Sequence, residues 1–96
     1  MSVVCRDEAI AVLDDIARHI AQHDPAAARV VARIHRVIYR TIDKLPLSGR
    51  LNRANNTREL AVPGLPYLII YRPVGDIVDV IAVLHTSRDP ATKRQP

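Results

Sequence analysis

Ninety-six residues with Lys and Arg exceeding Asp and Glu by four make one small basic domain, able to bury only a modest core. One cysteine excludes an internal disulfide and suits a reducing compartment, and no leader or apolar run of about 18 residues marks a secreted or membrane-spanning chain. The expectation is a soluble cytoplasmic protein with an aliphatic core, since the only aromatics are three Tyr, and no base-stacking platform is evident.

Ser2–Cys5 is short and partly β-branched and reads as an edge strand. Asp7 then starts a helix, with Glu8 in its first turn where the helix dipole favours an acid. Ile10, Leu13, Ile16, Ala17 and Ile20 fall on one helical face, with Asp14, Asp15 and Arg18 turned away. His23-Asp24-Pro25 closes this helix and opens the next, Asp24 as N-cap and Pro25 at the first helical position. So short a connection predicts an antiparallel helix pair.

The second helix is expected from about Pro25 to Lys44, with Val30, Val31, Ile34, Val37, Ile38 and Leu45 inward. Arg29, Arg33, Arg36 and Arg40, spaced four, three and four, form a stripe roughly opposite. Such a stripe is ordinarily a solvated face; the alternative is a binding surface. Charge is unevenly placed: residues 1–24 are net −3, residues 25–48 net +4 and residues 49–60 net +2. A basic middle calls for an acidic partner, nucleic acid or protein. Pro46 and Gly49 stop the helix, and Ser48–Asn56 reads as a polar loop.

Thr57–Asp89 carries most of the remaining information. Thr57–Val62 is a strand ended by Pro63-Gly64-Leu65-Pro66. Tyr67–Arg72 is almost wholly apolar, as a strand buried on both faces would be. It breaks at Pro73-Val74-Gly75-Asp76, and Ile77–His85 follows, rich in Val and Ile with Asp79 as a polar interruption. The short spacers force antiparallel pairing. Helices first and strands afterwards predict an α+β fold, with the helical hairpin packed on a small antiparallel sheet in the order β-α-α-β-β-β. Residues 1–90 then form one domain and 91–96 a disordered tail.

No metal set is visible: His19, His23, His35, His85 and Cys5 lack zinc-ligand spacing, although His19 and His23 lie one helical turn apart. No phosphate loop or nucleophile elbow occurs, and no cofactor is expected. The telling polar residues lie around the strands: Arg50 in the loop before, Arg58 and Glu59 opening the first strand, Arg72 ending the second, His85 ending the third, then Arg88. Arg binds phosphate or carboxylate bidentately and His exchanges protons near neutrality. An RNA-cleaving site would use His85 as acid or base with Arg88 and Arg58 stabilising charge. The bland alternative makes Arg58–Glu59 and Arg88–Asp89 local ion pairs. Tyr67 and Tyr71, on one strand face, belong to the core, and Asp79 faces solvent or pairs with an Arg.

The ordered set of an amphipathic helical hairpin, Pro-x-Ser-Gly-Arg, Thr-Arg-Glu-Leu, Pro-Tyr-Leu-Ile-Ile-Tyr-Arg and Leu-His-x-x-Arg-Asp resembles the RelE/ParE superfamily of type II toxin–antitoxin toxins, over roughly residues 3–90. The resemblance implies the same fold and one of two activities, ribosome-dependent mRNA cleavage or poisoning of DNA gyrase. RelE-type nucleases place an Arg where this chain has Leu68 and Lys residues where it has Glu59 and Ala61. His85 is followed by Thr86, with no Tyr beyond Tyr71. The resemblance is closer to ParE. It implies a gyrase-directed toxin, without hydrolytic chemistry of its own, neutralised by a ParD-like antitoxin segment in the groove beside hairpin and sheet. Arg50, Arg58, Arg72, His85, Arg88 and the Arg29–Arg40 stripe are the candidate contact residues. The alternatives are an mRNA endonuclease acting with the ribosome and a non-toxic antitoxin-binding member.

Overall fold

The structure, a computed structural model, describes residues 2–21 and 27–86. In chain order it has β1 (Ser2–Cys5), α1 (Asp7–Ala21), α2 (Ala27–Arg36) running into a π-helical segment (Val37–Ile42), then β2 (Arg50–Asn52), β3 (Thr57–Ala61), β4 (Tyr67–Val74) and β5 (Ile77–His85). The expected α+β class and the packing of helices on a sheet both hold. His23, Asp24, Pro25, Arg88 and the 91–96 tail lie outside the described residues.

The sheet is mixed rather than antiparallel, in the order β1-β5-β4-β3-β2. The meander pairs antiparallel as expected, but β1 joins β5 in parallel, Val3 opposite Val78 and Cys5 opposite Val80. β1 reaches β5 not by a tight turn but through two helices and three further strands, a connection long enough to allow parallel pairing. The predicted polar loop 48–56 contains a further strand, β2, paired with β3 through a turn in which Asn56 adopts φ 52°. Asn is among the few side chains that accept that conformation. β4 also continues two residues past Arg72, because Pro73 lies beyond the stretch paired with β3 and its missing N–H leaves no ladder bond unmade there. Gly75, at φ 58°, then opens the two-residue hairpin turn that this handedness requires.

One face of the sheet packs under the helices. Tyr67, Ile69 and Tyr71 of β4 and Val78, Val80 and Val83 of β5 meet Leu13, Ile16, Ile34, Ile38 and Ile42. A bulge at Ile81 lets β5 bury even positions before it and an odd one after it. Among the described residues no helix covers the other face. Leu68 and Ile70 are only half-buried there, so β4 is not covered on both faces as its apolar run suggested.

The π segment corrects the predicted inward face of the second helix. At about 100° per residue an α-helix would bring Leu45 onto the line of Ile34 and leave Ile42 roughly 80° away. The wider π turns, bonded i to i+5, rotate less per residue and over six residues cancel roughly that offset. Ile42 is accordingly fully buried and Leu45 is 62% exposed. In α1, Ala9, Leu13 and Ile16 are buried among the described side chains, Ile10, expected inside, is exposed, and the side chain of Ile20 lies outside those described.

Candidate functional site

Two of the sheet arginines singled out by the sequence, Arg58 and Arg72, are anchored on backbone carbonyls. Arg58 shares the hairpin-side face with Tyr71, its register partner, and its Nη1 donates to the carbonyls of Gly49 (3.0 Å) and Leu47 (3.3 Å). The loop it grips is seated on the same tyrosine: Gly49 N–H donates to the buried Tyr71 hydroxyl at 2.8 Å. A Cβ at Gly49 would stand 2.6 Å from that hydroxyl, so only glycine fits between loop and ring. The Ser-Gly-Arg motif is thus a packing device. Arg72 lies on the opposite face and donates from Nε and Nη2 to the carbonyls of Asn56 (3.0 Å) and Asn55 (2.8 Å), closing the β2–β3 turn.

His85 stands edge-on to Tyr67 with ring centroids 5.1 Å apart. It lies opposite Tyr67 on β5, whereas Arg58 lies opposite Tyr71 on β3. Four residues along the strand and two strand spacings separate them, about 13 Å by about 10 Å. His85, Arg58 and Arg72 therefore do not converge on one point. Arg50, exposed on edge strand β2, lines a shallow depression with Leu51, Asn52, Arg53 and Glu59, where Asn52 holds the Glu59 carboxylate at 3.1 Å. Asp79 pairs with an arginine and lies on the helix-free face, both readings at once. Arg6 donates to both its carboxylate oxygens at 2.8–3.2 Å, and that bonding, then the charge, raises the guanidinium pKa further above its usual value.

The stripe on the second helix is different. Arg29, Arg33, Arg36, Arg40 and Lys44 are all exposed, and the only hydrogen bond among them within the described residues is a long one, Arg33 to the Pro63 carbonyl at 3.4 Å. Beside the stripe stands Tyr39, which the sequence reading passed over. It is 46% exposed and stacks on His35 at 5.7 Å with an interplanar angle of 11°. An α-helix sets residue i+4 about 40° past residue i. The π turns remove most of that offset, so the two rings stand one above the other. The Tyr39 hydroxyl lies 3.5 Å from the Cys5 sulfur; that contact, and then partial burial, raise the phenol pKa above its ordinary value. The signal available in the sequence was a repeated ring–Arg doublet, His35-Arg36 and Tyr39-Arg40. Three leucines, Leu45, Leu47 and Leu51, are exposed around the loop that Arg58 grips. Among the described residues no three His, Cys, Asp or Glu gather as metal ligands, and no helix is long and apolar enough to cross a membrane.

Fold and surface together define a small α+β domain with a row of exposed cations on its second helix, beside a sheet in which Arg58 and Arg72 hold loops. A family model described as "ParE toxin of type II toxin-antitoxin system, parDE" matches residues 3–90. "Putative toxin Y4kP" of Sinorhizobium fredii (strain NBRC 101917 / NGR234) is 45% identical over 74 residues, 76% of this chain and 75% of the relative. A solved structure, "Chromosomal ParDE TA system from P. aeruginosa", superposes with a TM-score of 0.71 at 21% identity, covering 88% of this chain and 95% of that one. The fold is shared with that structure. The chain belongs to the ParE toxin family of type II toxin–antitoxin systems.

Proposed function

We propose that this ParE-family toxin inhibits DNA gyrase by binding it, and that a cognate antitoxin neutralises it by covering a basic and apolar surface. The carrying observation is the separation of the groups that phosphoryl transfer would need. Arg58 and Arg72 face opposite sides of the sheet and hold loops, and His85 lies far from Arg58. Charge stabilisation of a reacting phosphate requires donors preorganised around one point. A poison that traps another enzyme's intermediate requires only a surface. This arrangement favours the gyrase reading over ribosome-dependent mRNA cleavage by His85, Arg88 and Arg58.

For the antitoxin, exposed Leu45, Leu47 and Leu51 beside Arg50 and Lys44 offer apolar anchors within a positive surround. An amphipathic segment with acidic residues matches both features.

The test adds the purified chain to gyrase, supercoiled or relaxed plasmid and ATP, beside a reaction with ribosomes and mRNA. Inhibited supercoiling and trapped linear DNA, with intact mRNA, is the expected result. Cleaved mRNA with unaffected gyrase would overturn the reading, and harmless expression together with antitoxin binding would indicate a toxin that has lost its activity.

A further inference from the structure

The face built from His35, Arg36, Tyr39 and Arg40 is not accounted for by the sheet, the loop clamps or the exposed leucines. Its features are a ring held rigid from behind and guanidiniums beside it. His35 stacks against one side of Tyr39, and the Cys5 sulfur lies 3.5 Å from the hydroxyl, fixing the ring's orientation while nearly half its surface stays open. Arg36 and Arg40 flank the pair with no ion-pair partner among the described residues, and Arg29 and Lys44 extend the positive row. From Arg29 to Lys44 the row spans about 22 Å at helical rise.

We propose that this face binds single-stranded DNA, one base stacking on Tyr39 and the adjoining phosphates on Arg36 and Arg40. Aromatic faces interleaved with cations are the recurrent means of holding single strands without reading sequence. An acidic peptide would use the cations but has no need of the ring. An amphipathic peptide would need an apolar groove, and the exposed neighbours here are Ala32 and Thr41. A duplex buries its base faces, leaving Tyr39 nothing to stack on. The choice of DNA over RNA rests on the gyrase reading, because a gyrase intermediate presents opened DNA; the rest of the inference stands on the geometry alone.

The experiment is fluorescence anisotropy of the full chain with a labelled oligothymidine of about 15 nucleotides, titrated over a range of salt. Matched RNA, matched duplex and polyglutamate serve as competitors. The strand is expected to bind in preference to all three. Tyr39→Leu should weaken it at least about fivefold with the salt dependence unchanged, while Tyr39→Phe retains it. Arg36→Ala with Arg40→Ala should lower the slope of log affinity against log salt by about 1.4, at about 0.7 per phosphate contact. All these positions are exposed, and thermal melts confirm that each variant is folded. No binding, equal binding by Tyr39→Leu, or displacement by polyglutamate or RNA in preference to DNA overturns the proposal. The same variants go into the gyrase reaction. Gyrase inhibition without strand binding defeats this inference and leaves the function standing; strand binding without gyrase inhibition does the reverse.

Discussion

Two sets of arginines in one small chain do opposite work. Arg58 and Arg72 sit on strands beside loops whose carbonyls need donors, and each guanidinium is fixed by two of them. Arg36 and Arg40 sit on a helix whose backbone groups are already paired internally, and their exposed guanidiniums meet no such acceptor among the described residues. The lesson is that the local backbone, not the residue type, decides whether a cation is structural or available.

The sharpest way to break this contrast is to unseat the loop that Arg58 holds. Gly49→Ala drives a methyl group to 2.6 Å from the hydroxyl of the fully buried Tyr71 and disturbs the Gly49 N–H bond to it. Overpacking of this kind costs about 1–3 kcal/mol, and the lost bond adds to it, so destabilisation of about 3 kcal/mol is expected from urea unfolding. If Gly49→Ala unfolds at the parental midpoint, the loop is not clamped as described. Arg58→Ala should cost less, about 1.5 kcal/mol, the lower end for charge-assisted bonds because the side chain is half-exposed. Arg40→Ala, by contrast, should stay within about 0.5 kcal/mol. Equal costs for Arg58→Ala and Arg40→Ala would erase the distinction.

The sequence displayed the fold more openly than the surface. The meander was legible because Pro-Gly and Gly-Asp punctuate β-branched runs at spacings that allow only antiparallel returns. β2 was not, because three residues, Arg50-Leu51-Asn52, are too few to show a periodicity, and its pairing is fixed by Glu59 and Thr57 on another strand. The π segment was hidden for a related reason. Val37–Ile42 is compatible with an α-helix, and the burial of Ile42 in place of Leu45 selects the wider turn. Among the candidate residues, type was readable and role was not. Arg58 and Arg72 looked like phosphate ligands because nothing local announces a carbonyl that lies one strand back in the chain. Tyr39 was passed over as one of three scarce aromatics, although its ring–Arg doublet with Arg40 repeats that of His35 and Arg36.

The smallest expected effect belongs to the open side and tests whether Tyr39 is held in place. The Cys5 contact, and behind it partial burial, raise the phenol pKa above its unfolded value of about 10. A folded pKa above the unfolded one means that folding favours the neutral phenol. That contribution is fully present below about pH 10 and is lost as pH rises through the higher folded value. The informative quantity is the stability difference between the parent chain and Tyr39→Phe, in which contributions common to both chains cancel. The difference should run against the parent chain on going from about pH 9 to about pH 11, modestly, because solvent screens a ring that is 46% exposed. Cys5→Ala removes the leading cause and should reduce the pH dependence of that difference in urea midpoints. If the difference does not change with pH, the hydroxyl is not held against β1, and the ring lacks the fixed orientation that a stacking platform requires.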